Sequence, residues 1–139
     1  MPTNNDSPFI LDLLESLKRR SKSLKHKNAV PEIARFVETR EGVERQRVEI
    51  TIRKRSRQQL IITAWDDRTI RLHACESVWQ AGWKFQHTCS GRFIGSDGGR
   101  EIVQALEESL LAMFEMTARD EAKLDRIWAP LLAKGPQPL

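Results

Sequence analysis

Two short segments each pair an imidazole with a thiol at i, i+2 spacing: His73-Ala74-Cys75 and His87-Thr88-Cys89. Two His and two Cys on neighbouring strands are the donor set of a tetrahedral zinc site. Strand parity argues against their convergence. Ile70, Leu72 and Ala74 alternate with His73 and Cys75, whereas Trp83 and Phe85 share the parity of His87 and Cys89. If Leu72, Ala74, Trp83 and Phe85 line one core, the pleat sends the first His-Cys pair to one face and the second to the other. The same parity argues against a disulfide between Cys75 and Cys89. The expectation is no metal, no cofactor and two reduced thiols in buried or half-buried positions.

Other catalytic patterns are also missing. Gly91, Gly95, Gly98 and Gly99 do not form the Gly-rich loop ending in Lys and Ser or Thr that cradles a nucleotide phosphate, and there is no Gly-x-Ser-x-Gly elbow. Asp66, Asp67 and Glu76 could hold a divalent ion as in a nuclease, but the lysine that commonly accompanies such carboxylates is absent near Glu76. Asp66-Asp67-Arg68 reads more simply as a turn. The chain is therefore read as non-enzymatic.

Charge offers a better lead. Of 139 residues, 23 are Lys or Arg and 19 are Asp or Glu, for a net charge of +4. The excess is concentrated: residues 18–57 hold fourteen basic side chains against five glutamates, a net of +9, while residues 1–17 carry −3 and residues 58–139 carry −2. Lys18, Arg19, Arg20, Lys22, Lys25 and Lys27 form one cluster, and Arg53, Lys54, Arg55 and Arg57 form the other. Such density attracts polyanions through counterion release. The structural alternative is a solvated helix end and a solvated hairpin turn.

The elements that must position these groups follow from periodicity. Ser7-Pro8 has cap and first-turn chemistry, and Ile10, Leu13, Leu14, Leu17 and Leu24 recur at helical spacing, which predicts an amphipathic helix over about 8–25. Asp12 and Glu15 near its start and lysines and arginines near its end suit the helix dipole. Lys25-His26-Lys27-Asn28 is a polar connection. Pro31 is read as opening a second short helix with Ile33, Phe36 and Val37 buried and Gly42 ending it; a hairpin turning at Glu41-Gly42 fits nearly as well.

From residue 46 the period becomes two. Val48, Ile50 and Ile52 alternate with Arg47, Glu49, Thr51 and Arg53, and residues 60–65 are apolar on both faces, as a central strand requires. With strands near 69–75 and 83–89, and Phe93-Ile94 as an extension after a Ser90-Gly91 turn, this makes a four- or five-stranded antiparallel meander. Ser96 and Asp97 offer cap oxygens to a helix over about 99–117, striped by Ile102, Val103, Leu106, Leu110, Met113 and Phe114. Thr117 and Asp120 resemble a capping box for a last helix containing Leu124, Ile127 and Trp128, which Pro130 bends or ends. The fold class is α+β. Residues 1–45 are read as an N-terminal helical, basic segment and 46–139 as the sheet with its C-terminal helices, together one domain.

The polar face of that sheet is the candidate site. Arg47, Arg53, Thr63, Trp65, Arg71 and His73 fall on it, joined by Lys84, Gln86 and Thr88. Cations that track phosphates and a ring that stacks on bases would bind single-stranded nucleic acid. The expected contacts are Arg47, Arg53, Lys54, Arg55, Arg57 and Arg71 to phosphate, with Trp65 stacking. The competing reading is a protein-interaction or oligomerisation module, with an acidic protein or a second copy in a homodimer as partner. An exposed Trp65 favours the first reading and a buried one the second. No apolar run reaches the roughly 18 residues of a membrane span, and the start of the chain lacks the basic and apolar stretches of an export signal, so a cytoplasmic protein is expected.

Overall fold

The computed structural model describes residues 7–22, 29–54, 58–78, 82–115 and 122–133. Helix α1 spans Pro8–Arg19, and five long strands follow: β1 Ala29–Arg40, β2 Val43–Lys54, β3 Gln58–Trp65, β4 Thr69–Val78 and β5 Gly82–Phe93. Helix α2 spans Gly98–Glu115 and α3 Ala122–Trp128; a 3-10 turn over Ala129–Leu131 leads into the two-residue strand β6, Leu132–Ala133. The sheet is antiparallel throughout, in the order β1-β2-β3-β4-β5-β6. The fold is thus α+β with six strands among the described residues, two more or one more than periodicity predicted.

The helices share one face of this sheet. Val48, Ile50 and Ile52 of β2, Leu60, Ile62 and Ala64 of β3, and Ile70, Leu72 and Ala74 of β4 are buried with Leu13 and Leu17 of α1 and Ile102, Leu106 and Leu110 of α2. The opposite face carries no helix among the described residues. Ser7 caps α1 by accepting from the Ile10 N–H at 3.1 Å, with Pro8 in the first turn. Asp12, which the dipole argument assigned to its own helix, instead reaches across the fold: its Oδ2 accepts from the Gly99 N–H at 2.8 Å at the start of α2. A carboxylate there satisfies an orphan N–H and meets the positive end of the α2 dipole. Arg20 and the buried Glu107 form a second tie between the two helices, Nε to Oε1 at 2.9 Å.

Two expectations are corrected. The second helix expected from Pro31 to Gly42 is strand β1, which pairs with β2 along its full length, from Ala29 opposite Lys54 to Arg40 opposite Val43. Glu41 and Gly42 both have positive φ, 52° and 78°. That pair defines the two-residue turn whose twist matches antiparallel strands, so the hairpin reading prevails. The Ser90-Gly91 turn is likewise absent, because β5 runs straight on to Phe93. Gly91 is needed for a different reason: a Cβ there would lie 2.7 Å from the Ala133 carbonyl oxygen of β6. The α-helix α3 ends at Trp128 and tightens to 3-10 geometry at Pro130, as its ring demands. The expected connection at Lys25 to Asn28 and the capping box at Thr117 and Asp120 lie outside the described residues.

Candidate functional site

The pleat places Arg47, Arg53, Thr63, Trp65, Arg71, His73 and Thr88 on the helix-free face together. Arg47 lies opposite Trp65, Glu49 opposite Thr63, Thr63 opposite Arg71, and His73 opposite Thr88. The shared face expected from sequence is therefore real. Its chemistry is not the one expected. Trp65 is only 2% exposed. Its indole N–H donates to Glu38 Oε1 at 3.2 Å, and the Arg40 guanidinium sits 5.4 Å from the ring centroid. Both partners come from β1, the strand read as a helix. A ring roofed by its own hairpin has no free face for a base, so the stacking role assigned to Trp65 is withdrawn.

The arginines nearest to it are also engaged. Arg47 Nε lies 2.9 Å from Glu38 Oε1, its NH1 lies 3.6 Å from Glu49 Oε2, and its guanidinium stands 4.1 Å from the Phe36 ring centroid. Arg53 pairs with Glu32 across the same two strands. On this half of the face, Arg47 and Arg53 each already have a carboxylate neighbour, which lowers their attraction for phosphate. Lys54 ends β2, but its side chain lies outside the described residues, as do Arg55 and Arg57.

The other half of the face is different. Arg71 is flanked in register by Thr63 and Ser90, and His73 by Ile61 and Thr88. No carboxylate occupies these adjacent positions. His73 Nδ1 is 2.7 Å from Thr88 Oγ1. Burial, then the charge of Arg71 and then His87, hold the His73 pKa below its ordinary value of 6.5. The folded chain therefore takes up this proton less readily than the unfolded chain, so its contribution to stability is full above 6.5 and is lost as pH falls through that value towards the lower folded one. Replacing His73 by Gln is expected to reduce the fall in Tm between about pH 7.5 and about pH 5.5. Equal falls in the two chains would contradict this.

Asp66 and Asp67 do turn chemistry. Asp66 Oδ2 accepts from the Gln46 N–H at 2.9 Å and its Oδ1 from Arg45 at 3.3 Å. Asp67 Oδ1 accepts from the Thr69 N–H at 3.0 Å. Arg68 closes the turn at φ 72°, its guanidinium 5.5 Å from the Phe9 ring and 5.2 Å from the Phe93 ring.

The two His-Cys pairs separate as parity predicted. Leu72 faces Cys89 and Ala74 faces His87 on the core side, while His73 and Cys75 lie on the other. Sequence reasoning missed a neighbour of the second pair. Asp125 of α3 brings its Oδ1 to 3.2 Å from His87 Nε2, beside a cavity of about 190 Å³ lined by Cys89, Ser90 and Trp128. Nothing in local spacing links positions 38 residues apart. A thiol, an imidazole and a carboxylate suggest a nucleophile, but burial and then the Asp125 charge push the Cys89 thiol up to about 11. Burial alone pushes Cys75 to about 11 as well. Neither is a thiolate near neutral pH, which is the reactive form. A thiol-specific reagent is expected to label both far more slowly in the native chain than after denaturation, and a rapid native phase would contradict this.

The remaining unusual surface is the outer edge of β1. This twelve-residue strand has β2 as its one strand neighbour among the described residues. Three large apolar side chains on it are exposed: Ile33 at 47%, Phe36 at 40% and Val37 at 66%. Ile33 and Val37 lie on the helix side of the sheet, where Ile33 shares the lining of a cavity of about 410 Å³ with Leu14, Leu17 and Lys18 of α1, and Phe36 lies on the helix-free side. A long edge strand with an open backbone is a template for another strand. Sequence reading hid it because the same three residues fit a helical stripe. Comparisons with the models of known protein families, with curated proteins and with solved structures found no match.

Proposed function

We propose that this chain is a non-enzymatic interaction module that takes up a partner strand along the outer edge of β1. The observation that carries this reading is the length and apolar exposure of that edge, where Ile33, Phe36 and Val37 lie on a strand whose outer side has no strand partner among the described residues. Strand addition derives affinity from main-chain hydrogen bonds and specificity from alternate side chains, and a twelve-residue edge offers both. The burial of Trp65 and the pairing of Arg47 and Arg53 with carboxylates support it against a base-stacking platform.

A second reading keeps a specific observation of its own. The Arg71 and His73 half of the helix-free face has no adjacent carboxylate in register, and Arg92 follows opposite Thr69. That half suits phosphate contacts with single-stranded nucleic acid, without stacking.

The two are separated by two titrations of the full chain. A labelled peptide with the sequence of residues 29–40 is expected to bind, and Val37→Pro in the protein is expected to abolish binding. Single-stranded and duplex oligonucleotides at two salt concentrations test the second reading. Oligonucleotide binding that weakens steeply with salt and is lost in Arg71→Ala, with no peptide binding, would transfer the function to phosphate recognition.

A further inference from the structure

The geometry of β1 points to a second copy of this chain as its partner, and it specifies the register. We infer that two chains pair β1 against β1 antiparallel about a two-fold axis through Phe36, joining their sheets into one with all helices on the same side. This deepens the edge-strand reading and rests on it.

The turn sets the hydrogen-bonding phase of β1. Arg40 and Val43 flank a two-residue turn in which both central residues have positive φ, so they exchange both of their backbone hydrogen bonds. Counting back in twos, Glu38, Phe36, Ala34 and Glu32 also direct their N–H and C=O groups to β2. The intervening Thr39, Val37, Arg35, Ile33 and Pro31 direct theirs outward. Pro31, which has no N–H to give, sits in the outward set, where proline is tolerated on an edge.

An incoming copy must match outward residues with outward residues, which leaves a short series of registers. Side-chain charge selects among them. Centring on Arg35 would set Arg35 against its own copy and Glu32 against Glu38, both repulsive. Centring on Ala34 or Val37 opposes no pair of unlike charges. Centring on Phe36 places Glu32 opposite Arg40 at one end and Arg40 opposite Glu32 at the other. It also sets Phe36 against Phe36, Ile33 against Thr39 and Val37 against the stem of Arg35. Directly opposed residues in an antiparallel pair share a face, so the two helix layers lie on the same side of the joined sheet. The existing partners of these charges, Arg53 for Glu32 and the Trp65 ring for Arg40, would join the new pairs in a network rather than be displaced.

The test uses sedimentation velocity on the full chain. A reversible dimer is expected. Glu32→Arg alone and Arg40→Glu alone each bring like charges together at both ends and should weaken dimerisation by at least about tenfold. An equimolar mixture of those two variants sets one cation against one carboxylate at each end and should restore it. Phe36→Cys should cross-link to its own copy on oxidation, because opposed residues not sharing hydrogen bonds have Cα atoms about 4.5 Å apart, within disulfide reach. Ala34→Cys should not. Circular dichroism of each variant checks that the fold is retained, and the cross-link keeps the test decisive if a charge variant fails to fold.

A monomer at every concentration overturns the inference, and the 29–40 peptide titration then decides the edge-strand reading by itself. If Val37→Pro breaks the dimer but the mixture does not restore it and Phe36→Cys does not cross-link, the self-pairing register is wrong while the edge-strand reading stands. If Val37→Pro leaves the dimer intact, association uses another surface and both fall.

Discussion

Gly99→Val is expected to cost about 3 kcal/mol or more of folding stability, the upper range of overpacking. The reason lies in how closely α1 crosses the start of α2. A Cβ on Gly99 would overlap the Asp12 backbone oxygen and lie 2.5 Å from Ser16 Oγ. Backbone cannot swing aside as a flexible side chain can, so the helices must separate, and the Asp12 carboxylate then loses its bond to the Gly99 N–H. That bond caps a helix with a charged acceptor, which adds to the loss. Denaturant unfolding should show a lower midpoint with little change in slope. Gly42→Ala is the instructive control. No atom lies within 4 Å of a Cβ there, but φ is 78°, so only the left-handed strain of about 1 kcal/mol is expected. If the two substitutions cost the same, the close helix crossing is wrong.

Trp128→Ala is expected to cost about 3–5 kcal/mol. Trp128 is 1% exposed and donates its indole N–H to Ser109 Oγ at 2.8 Å, while Ser109 in turn donates to the Ala105 carbonyl at 2.7 Å. The ring thus anchors α3 to α2 by both area and a buried hydrogen-bond chain. Truncation would enlarge the neighbouring cavity of about 190 Å³ and leave the Ser109 oxygen without the N–H it accepts from. Trp128→Phe separates the two contributions: it keeps most of the area, so its cost should be nearer the roughly 1 kcal/mol of a single hydrogen bond, plus a small packing loss. Thermal unfolding of the three chains checks the order. A Phe variant as unstable as the Ala variant would mean that the hydrogen bond, rather than packing, dominates.

Helix-face packing was legible because it rests on short-range periodicity. Val48, Ile50 and Ile52 announce a half-buried strand, and Ile102, Val103, Leu106 and Leu110 a core helix, with no knowledge of what covers them. The pleat alone also separated His73 and Cys75 from His87 and Cys89. The candidate site was legible only in part. Of the residues expected on the helix-free face, Arg47, Arg53, Thr63, Trp65, Arg71, His73 and Thr88 share it, while the side chains of Lys84 and Gln86 lie outside the described residues; the availability of the face was not legible, since exposure depends on what other elements lie over it.

Residues 31–40 show why. Ile33, Phe36 and Val37 satisfy a helical stripe, and a short apolar pattern cannot distinguish a helix from a strand. The choice is made by twelve residues of backbone pairing with β2 and by a turn at Glu41-Gly42 that only positive φ can close. Once that hairpin forms, Glu38 and Arg40 fall across Trp65, Glu38 falls beside Arg47, and Glu32 falls beside Arg53. The pairing of Asp12 with Gly99, 87 positions apart, and of Asp125 with His87 arises in the same way. The sequence by itself determined the period, and hence which side chains share a face of each strand or helix, because period is a property of neighbouring residues. Which cations are neutralised, which ring is covered and which strand is left at the edge were decided only by the tertiary structure, because each depends on contacts between segments that no local pattern connects.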